Sequence, residues 1–163
     1  MWRQAHQQSF EAIREAVREA APLAHVDKSA PFVVETDASR EHLGAVLKQN
    51  DRVVRMLHRT LKPAERALPI TLLELLAVLF ALGRWEKYLL GRHFKIVTDH
   101  QALTWIGKQK SSNGKLAEWA FELSQYDYEI IYKPGAELGL ADSISRMVGL
   151  VEAREVLPTT EEF

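Results

Sequence analysis

Hydrophobic positions recur first at helical spacing. Between Trp2 and Ala21, the residues Phe10, Ile13, Ala16 and Val17 fall on one face, and the pattern ends before Pro22, which predicts an amphipathic helix. Leu23 to Pro31 reads as a connector rich in turn formers, with Asp27, Lys28, Ser29 and Pro31. The period then shortens. Phe32 to Asp37 is a short apolar strand that runs into Asp-Ala-Ser, and two further strand-like runs follow at Leu43 to Lys48 and Arg52 to Leu57. Asn50-Asp51 between those two runs suits a tight hairpin, so the three strands are expected to form an antiparallel meander.

From Thr71 to Leu90 the residues are strong helix formers and apolar on most sides, which predicts a largely buried helix. Thr71 is its expected cap, with Ile70 and Leu75 as a hydrophobic staple, and Gly91 its expected stop. Phe94 to Thr98 is a strand that again ends in an aspartate, Asp99, with a helical stretch expected directly after it. Ser111 to Gly114 is a polar loop; Lys115 to Gln125 carries Leu116, Trp119, Ala120 and Leu123 at helical spacing; Tyr128 to Tyr132 is a strand that runs into Pro134-Gly135. Asp142 precedes a short helical run with Ile144 and Met147, and the polar tail from Glu152 is expected to fray.

Strands joined first by hairpins and then through helices predict an α/β fold, a mixed sheet flanked by helices, because helix-separated strands favour parallel crossovers. No internal repeat interrupts this order. Trp85, Trp105 and Trp119 each stand at helical spacing from other apolar residues and are expected in the core, not as base-stacking platforms.

Composition narrows the chemistry. With 163 residues, 47% of them hydrophobic, the chain can bury one core. It has no cysteine, so any metal must sit on oxygen or imidazole, which favours hard divalent cations. Leu72 to Leu82, the longest apolar stretch, is too short to span a bilayer and is interrupted by Glu74; with charges throughout the N-terminal segment, this predicts a soluble, intracellular protein without a membrane partner. The formal net charge is −1, from 21 basic and 22 acidic residues, so the chain is not expected to hold nucleic acid by charge alone; a neighbouring domain would supply most of the grip. Lys108, Lys110 and Lys115 make a modest basic cluster that suits a solvated face at least as well as a DNA backbone. The six histidines show no paired metal spacing and are read as surface or packing residues, with only His100 near a substrate.

Substrate usually meets the strand ends of such a sheet, which draws attention to Asp37 and Asp99. Each acidic residue has a plain alternative. Asp37 can cap a turn with Ser39, Asp99 and Asp142 can cap helices, and Glu74 can close a capping box with Thr71. Together they say more. Glu74 is enclosed by Leu72, Leu73, Leu75 and Leu76, where a lone carboxylate is costly. Four carboxylates converging from two strand ends and two helix starts could bind a pair of magnesium ions about 4 Å apart, which would offset that cost.

At these residues the sequence resembles a known family, the ribonuclease H domains of gypsy-type long-terminal-repeat retrotransposon reverse transcriptases. The resemblance is carried by Glu35-Thr36-Asp37-Ala38-Ser39, Gly44-Ala45-Val46-Leu47, Leu61-Lys62-Pro63-Ala64-Glu65-Arg66, Glu74-Leu75-Leu76-Ala77 and Tyr88-Leu89-Leu90-Gly91. It continues through Val97-Thr98-Asp99-His100, Ala102-Leu103-Thr104-Trp105, Tyr126-Asp127-Tyr128, Tyr132-Lys133-Pro134-Gly135 and Ala141-Asp142-Ser143-Ile144-Ser145-Arg146. An ordered series of this length is far more specific than any single motif. The chain departs from the common pattern at His42 (usually glycine), His58 (usually serine), Leu72 (usually acidic) and Leu138 (usually asparagine).

The resemblance implies a ribonuclease H-like five-stranded sheet, three strands antiparallel and then two parallel. It implies that residues 1–30 are the connection helix and linker to an absent polymerase, 31–148 the ribonuclease H-like domain and 149–163 a flexible tail. The implied activity is endonucleolytic hydrolysis of the RNA strand of an RNA–DNA hybrid, with two magnesium ions (manganese may substitute) held by Asp37, Glu74, Asp99 and Asp142. Asp37 would serve both ions, Asp142 mainly the ion on the water side, and Glu74 with Asp99 mainly the leaving-group side. Ser39, His100 and Arg146 would touch substrate, RNA being recognised through its 2′ hydroxyls without base specificity. The polymerase and connection domains of the same polyprotein are the expected partners, in a cytoplasmic particle or the nucleus. The alternative is a weak or inactive module captured by a host as an interaction scaffold; an integrase-like nuclease fits less well.

Overall fold

The computed structural model describes residues 24–106 and 114–134. The helix expected over Trp2 to Ala21, the helical run after Asp142, the polar tail, Lys108 and Lys110 lie outside the described residues, as do the side chains of Trp105 and Ile106.

The meander forms as its pattern predicts. Strand β1 spans Phe32–Ala38, β2 His42–Gln49 and β3 Arg52–Thr60, each antiparallel to the next. Asn50 and Asp51 both take positive φ, 50° and 59°, the left-handed pair that a type I′ hairpin requires and that Asn and Asp tolerate best after glycine. At the opposite hairpin, Ser39 closes the turn from β1 to β2. Its hydroxyl accepts the His42 N–H at 2.9 Å and donates to the His42 carbonyl at 3.1 Å.

Between β3 and the long helix, residues 61–69 are folded by Glu65, which takes the Arg59 guanidinium on both oxygens, at 2.7 and 3.2 Å, and the Lys62 N–H at 2.7 Å. Helix α1, Ile70–Leu89, follows and ends at Gly91, whose φ of +74° reverses the chain. Strand β4 is His93–Thr98, helices α2 and α3 are Leu103–Ile106 and Gly114–Leu123, and β5 is Asp127–Tyr132. The helical stretch expected directly after Asp99 is therefore preceded by a turn, because the His100 carbonyl first accepts the Leu103 N–H before α2 begins.

The sheet order is β3-β2-β1-β4-β5, with β1, β4 and β5 mutually parallel. This is the expected mixed sheet of three antiparallel and then two parallel strands. Helix α1 lies across one face: Leu75, Val78, Leu82 and Trp85 pack with Phe32, Val34, Ala45, Leu47, Phe94 and Ile96 in the main core. Trp85 is fully buried, and the helix bends at it, with φ −110° and ψ 17°. Trp119 is also buried, so both tryptophans whose side chains are described belong to the core. Among the described residues no helix is long and apolar enough to cross a membrane.

Two positions that depart from the family pattern meet in space. His42 on β2 and His58 on β3 stack, with ring centroids 4.8 Å apart and planes at 27°, and His42 is only 6% exposed. The bulk at position 42 is thus laid against position 58. Burial, and next the neighbouring His42, lower the His58 pKa and keep that ring neutral.

Two stability outcomes follow from this packing. Trp85→Ala should cost about 3–5 kcal/mol in urea unfolding, as for other large core aromatics. In a double-mutant cycle of His42→Gly and His58→Ser, the single losses should exceed additivity by about 0.5–1.5 kcal/mol, the range for stacked ring pairs; strict additivity would show that the rings do not support one another.

Candidate metal centre

The site lies where two parallel neighbours separate. Strands β1 and β4 are hydrogen-bonded from Phe32 opposite Phe94 to Glu35 opposite Val97, and beyond that register β1 continues only with β2. The chain leaves β1 toward β2 and leaves β4 toward β5 on the other side, so a crevice opens at their carboxyl ends, where open α/β sheets take their ligands. Asp37 stands at the end of β1 and Asp99 directly after β4. Helix α1 enters above the same gap and brings Glu74 in its first turns.

One carboxylate oxygen from each of Asp37, Glu74 and Asp99 lies within 4.8 Å of the others. Asp37 is 5% and Glu74 3% exposed, while Asp99 is half-buried. Burial first, and then the charges of Asp37 and Asp99, push the Glu74 carboxyl up to about 9, against a single favourable hydrogen bond from the Ala38 backbone N–H. Its Oε2 is buried without any hydrogen-bond partner.

Those observations decide whether the residues suit a cation. A buried carboxylate that has one unpartnered oxygen and is grouped with two further carboxylates is an expensive arrangement for a protein alone, and a divalent ion with oxygen ligands would offset the repulsion and could take an unmet acceptor. The all-carboxylate donor set fits a hard divalent cation and does not suit soft metals. The Asp37, Glu74 and Asp99 group fits.

The plain alternatives for Glu74 and Asp99 do not hold. Helix α1 is preceded by Pro69 at its cap position, with no side-chain cap hydrogen bond, so Thr71 is not the cap and Glu74 does not close a capping box. Ile70 is the first helical residue and is 38% exposed, so it does not form the expected staple around a Thr71 cap. Proline serves at this end because it has no N–H to leave unsatisfied and its φ of −55° suits the helix start. Asp99 caps no helix, since α2 begins only at Leu103. The turn after β1 is closed by Ser39.

Thr71 instead shares a hydrogen bond of 2.8 Å with His100 Nε2. Nothing in the sequence pairs two residues 29 positions apart, and Thr71 was legible there only as a helix start. Of the residues expected to touch substrate, Ser39 and His100 stand in the turns that follow β1 and β4. Asp142 and Arg146 lie outside the described residues.

Comparison with known proteins bears on the family and the fold. The sequence model for the RNase H-like domain found in reverse transcriptase matches residues 27–126. The retrovirus-related Pol polyprotein from transposon gypsy of Drosophila melanogaster is 40% identical over 125 residues, which are 76% of this chain and 12% of that polyprotein. The chain thus spans about an eighth of the curated relative. Among solved structures, the foamy viral protease-reverse transcriptase in complex with an RNA/DNA hybrid superposes with a TM-score of 0.58 at 16% identity, covering 100% of this chain and 22% of that one. RNase H1 from the halophilic archaeon Halobacterium salinarum NRC-1 gives 0.56 at 20% identity, covering 70% of this chain and 93% of that one. At those identities the two structures speak for the shared sheet and helices alone. The matched residues contain both strand ends and the helix that carry the carboxylates, and on that match the chain belongs to the family of RNase H-like domains found in reverse transcriptase.

Proposed function

We propose that the chain hydrolyses the RNA strand of RNA–DNA hybrids as the ribonuclease H part of a retrotransposon polyprotein. The observation that carries this reading is the buried carboxylate group of Asp37, Glu74 and Asp99, with the Glu74 oxygen left unmatched by the protein. Asp142 is the fourth carboxylate of the proposal.

Bound there, a pair of magnesium ions, or manganese in their place, supplies an activated water and charge stabilisation for the departing 3′ oxygen. In this reading Asp37 would serve both cation positions, Glu74 and Asp99 would hold the leaving-group side, and Asp142 would hold the water side. The scissile P–O3′ bond breaks as the water oxygen bonds to phosphorus, which leaves a 5′ phosphate and a 3′ hydroxyl. Ser39, His100 and Arg146 are the proposed substrate contacts. Recognition of 2′ hydroxyls makes cleavage independent of base sequence. The polymerase and connection segments of the same polyprotein, with residues 1–30 as the link, are the proposed source of most hybrid affinity, consistent with a net charge of only −1 on this chain. That same charge is what favours the second reading, a non-enzymatic scaffold.

A labelled hybrid separates the two. With magnesium, the chain should release shortened RNA and leave the DNA intact, and either chelator or Asp37→Asn should reduce the rate by about a hundred-fold or more. Wild type and variant equally inert, both alone and joined to their polymerase, would favour the scaffold.

Glu74 gives a second test that needs no catalysis. Its folded carboxyl titrates near 9 and its unfolded one near 4.5, so between those values the native state holds a proton that the unfolded chain has lost. Metal-free stability should therefore fall as pH rises through that window. Glu74→Gln should flatten the slope and leave the metal-free protein more stable near pH 8, on the order of 2 kcal/mol, while removing the thermal stabilisation that magnesium gives the wild type. Because cation binding must displace the Glu74 proton, magnesium affinity in the wild type should rise with pH up to about 9.

A further inference from the structure

Three carboxylates drawn this close repel one another, so something must fix the turn that carries Asp99 against the helix that carries Glu74. The turn is short and tied on several sides. Thr98, fully buried, accepts the Lys133 N–H on its carbonyl at 2.9 Å, which anchors it to the end of β5. Its hydroxyl accepts the His100 N–H at 3.1 Å, which bends the chain around Asp99. The third tie is the 2.8 Å hydrogen bond between the His100 ring and the Thr71 hydroxyl, and it is the one that reaches α1.

Thr71 precedes Glu74 by three residues, so one turn of α1 presents both groups on the same side. The helix does not use the Thr71 hydroxyl as a cap, since that position belongs to Pro69. We infer that Thr71 is a positioning residue for the metal centre: through His100 it clamps the turn bearing Asp99 to the turn of α1 bearing Glu74, and so presets their separation for a divalent cation. This rests on the cation site proposed above. The action is indirect, as when a partner beyond the metal's own ligands orients a ligand, and loss of such a partner costs about 10–100-fold in metal affinity or activity.

The test uses the 163-residue chain, with melting midpoints followed over a magnesium chloride titration and a parallel manganese chloride titration. Each variant's metal-free midpoint serves as its own baseline, so general destabilisation is read separately. Thr71→Val, which keeps the shape and removes the hydroxyl, should raise the cation concentration for half-maximal stabilisation about ten-fold. Thr71→Ser should restore it. His100→Ala removes the same bond from the other side; it should match Thr71→Val, and the double variant should add nothing further. If Thr71→Val does not fold, His100→Ala is read in its place in the melting titrations alone, since His100 is also a proposed substrate contact. In hybrid cleavage, Thr71→Val should lower kcat at limiting magnesium, recover it at saturating magnesium and leave KM for the hybrid unchanged.

A wild type that responds to the cations beside variants that respond identically overturns the positioning role and spares the site. A wild type whose melting is unmoved by either cation removes the site, and the clamp with it.

Discussion

The arrangement depends on keeping like charges together. Two unit charges about 5 Å apart repel by about 3 kcal/mol at the effective dielectric of a partly buried site, and three carboxylates lie within that range here. The cohesion comes from elsewhere in the fold. The ladder between β1 and β4 fixes two of the groups, and the apolar side of α1, seated on the sheet through Leu75, Val78, Leu82 and Trp85, delivers the third. The raised Glu74 pKa relieves the conflict with a proton, and at the proposed site a cation would compete with that proton.

Helix α1 therefore has two requirements that pull in opposite directions. Most of its length must be apolar to cover the sheet, and its first turns must carry a carboxylate into that same apolar setting. The solution is positional. Glu74 lies near the helix start, beside the Ala38 N–H, between Leu73, buried in a smaller cluster, and Leu75, which joins the main core. A carboxylate further along would fall within the stretch of α1 that supplies the main core, away from the carboxyl ends of β1 and β4.

Much of this was legible in the sequence because the signals were local. Short apolar runs marked the strands, Asn50-Asp51 marked the hairpin whose two positive φ angles are now visible, and Gly91 marked the helix end. Asp37 and Asp99 stood out at strand ends and Glu74 for its cost in apolar surroundings, and the structure brings the three together. What was misread concerns short polar side chains with several possible partners. A threonine ahead of a glutamate looks like a cap from its neighbours alone; its real partner, His100, is brought near only by the crossover between α1 and β4. Asp99 was likewise ambiguous, since nothing local says whether a helix starts at the next residue or after a turn. The stacking of His42 on His58 needed the register of β2 on β3, which periodicity does not supply.

The register of the sheet also bears on when the acidic group comes into being. The pairs within the β1-β2-β3 meander are close in sequence, whereas Phe32 meets Phe94 only after the whole of α1 has intervened. Ring closure of that length is entropically slow, so the hairpins have a kinetic advantage over the β1 to β4 pairing. A nascent chain would thus hold Asp37 in an ordered strand well before Asp99 arrives beside it. The carboxylate group is accordingly a property of the finished topology, and cation binding at the proposed site would report complete folding.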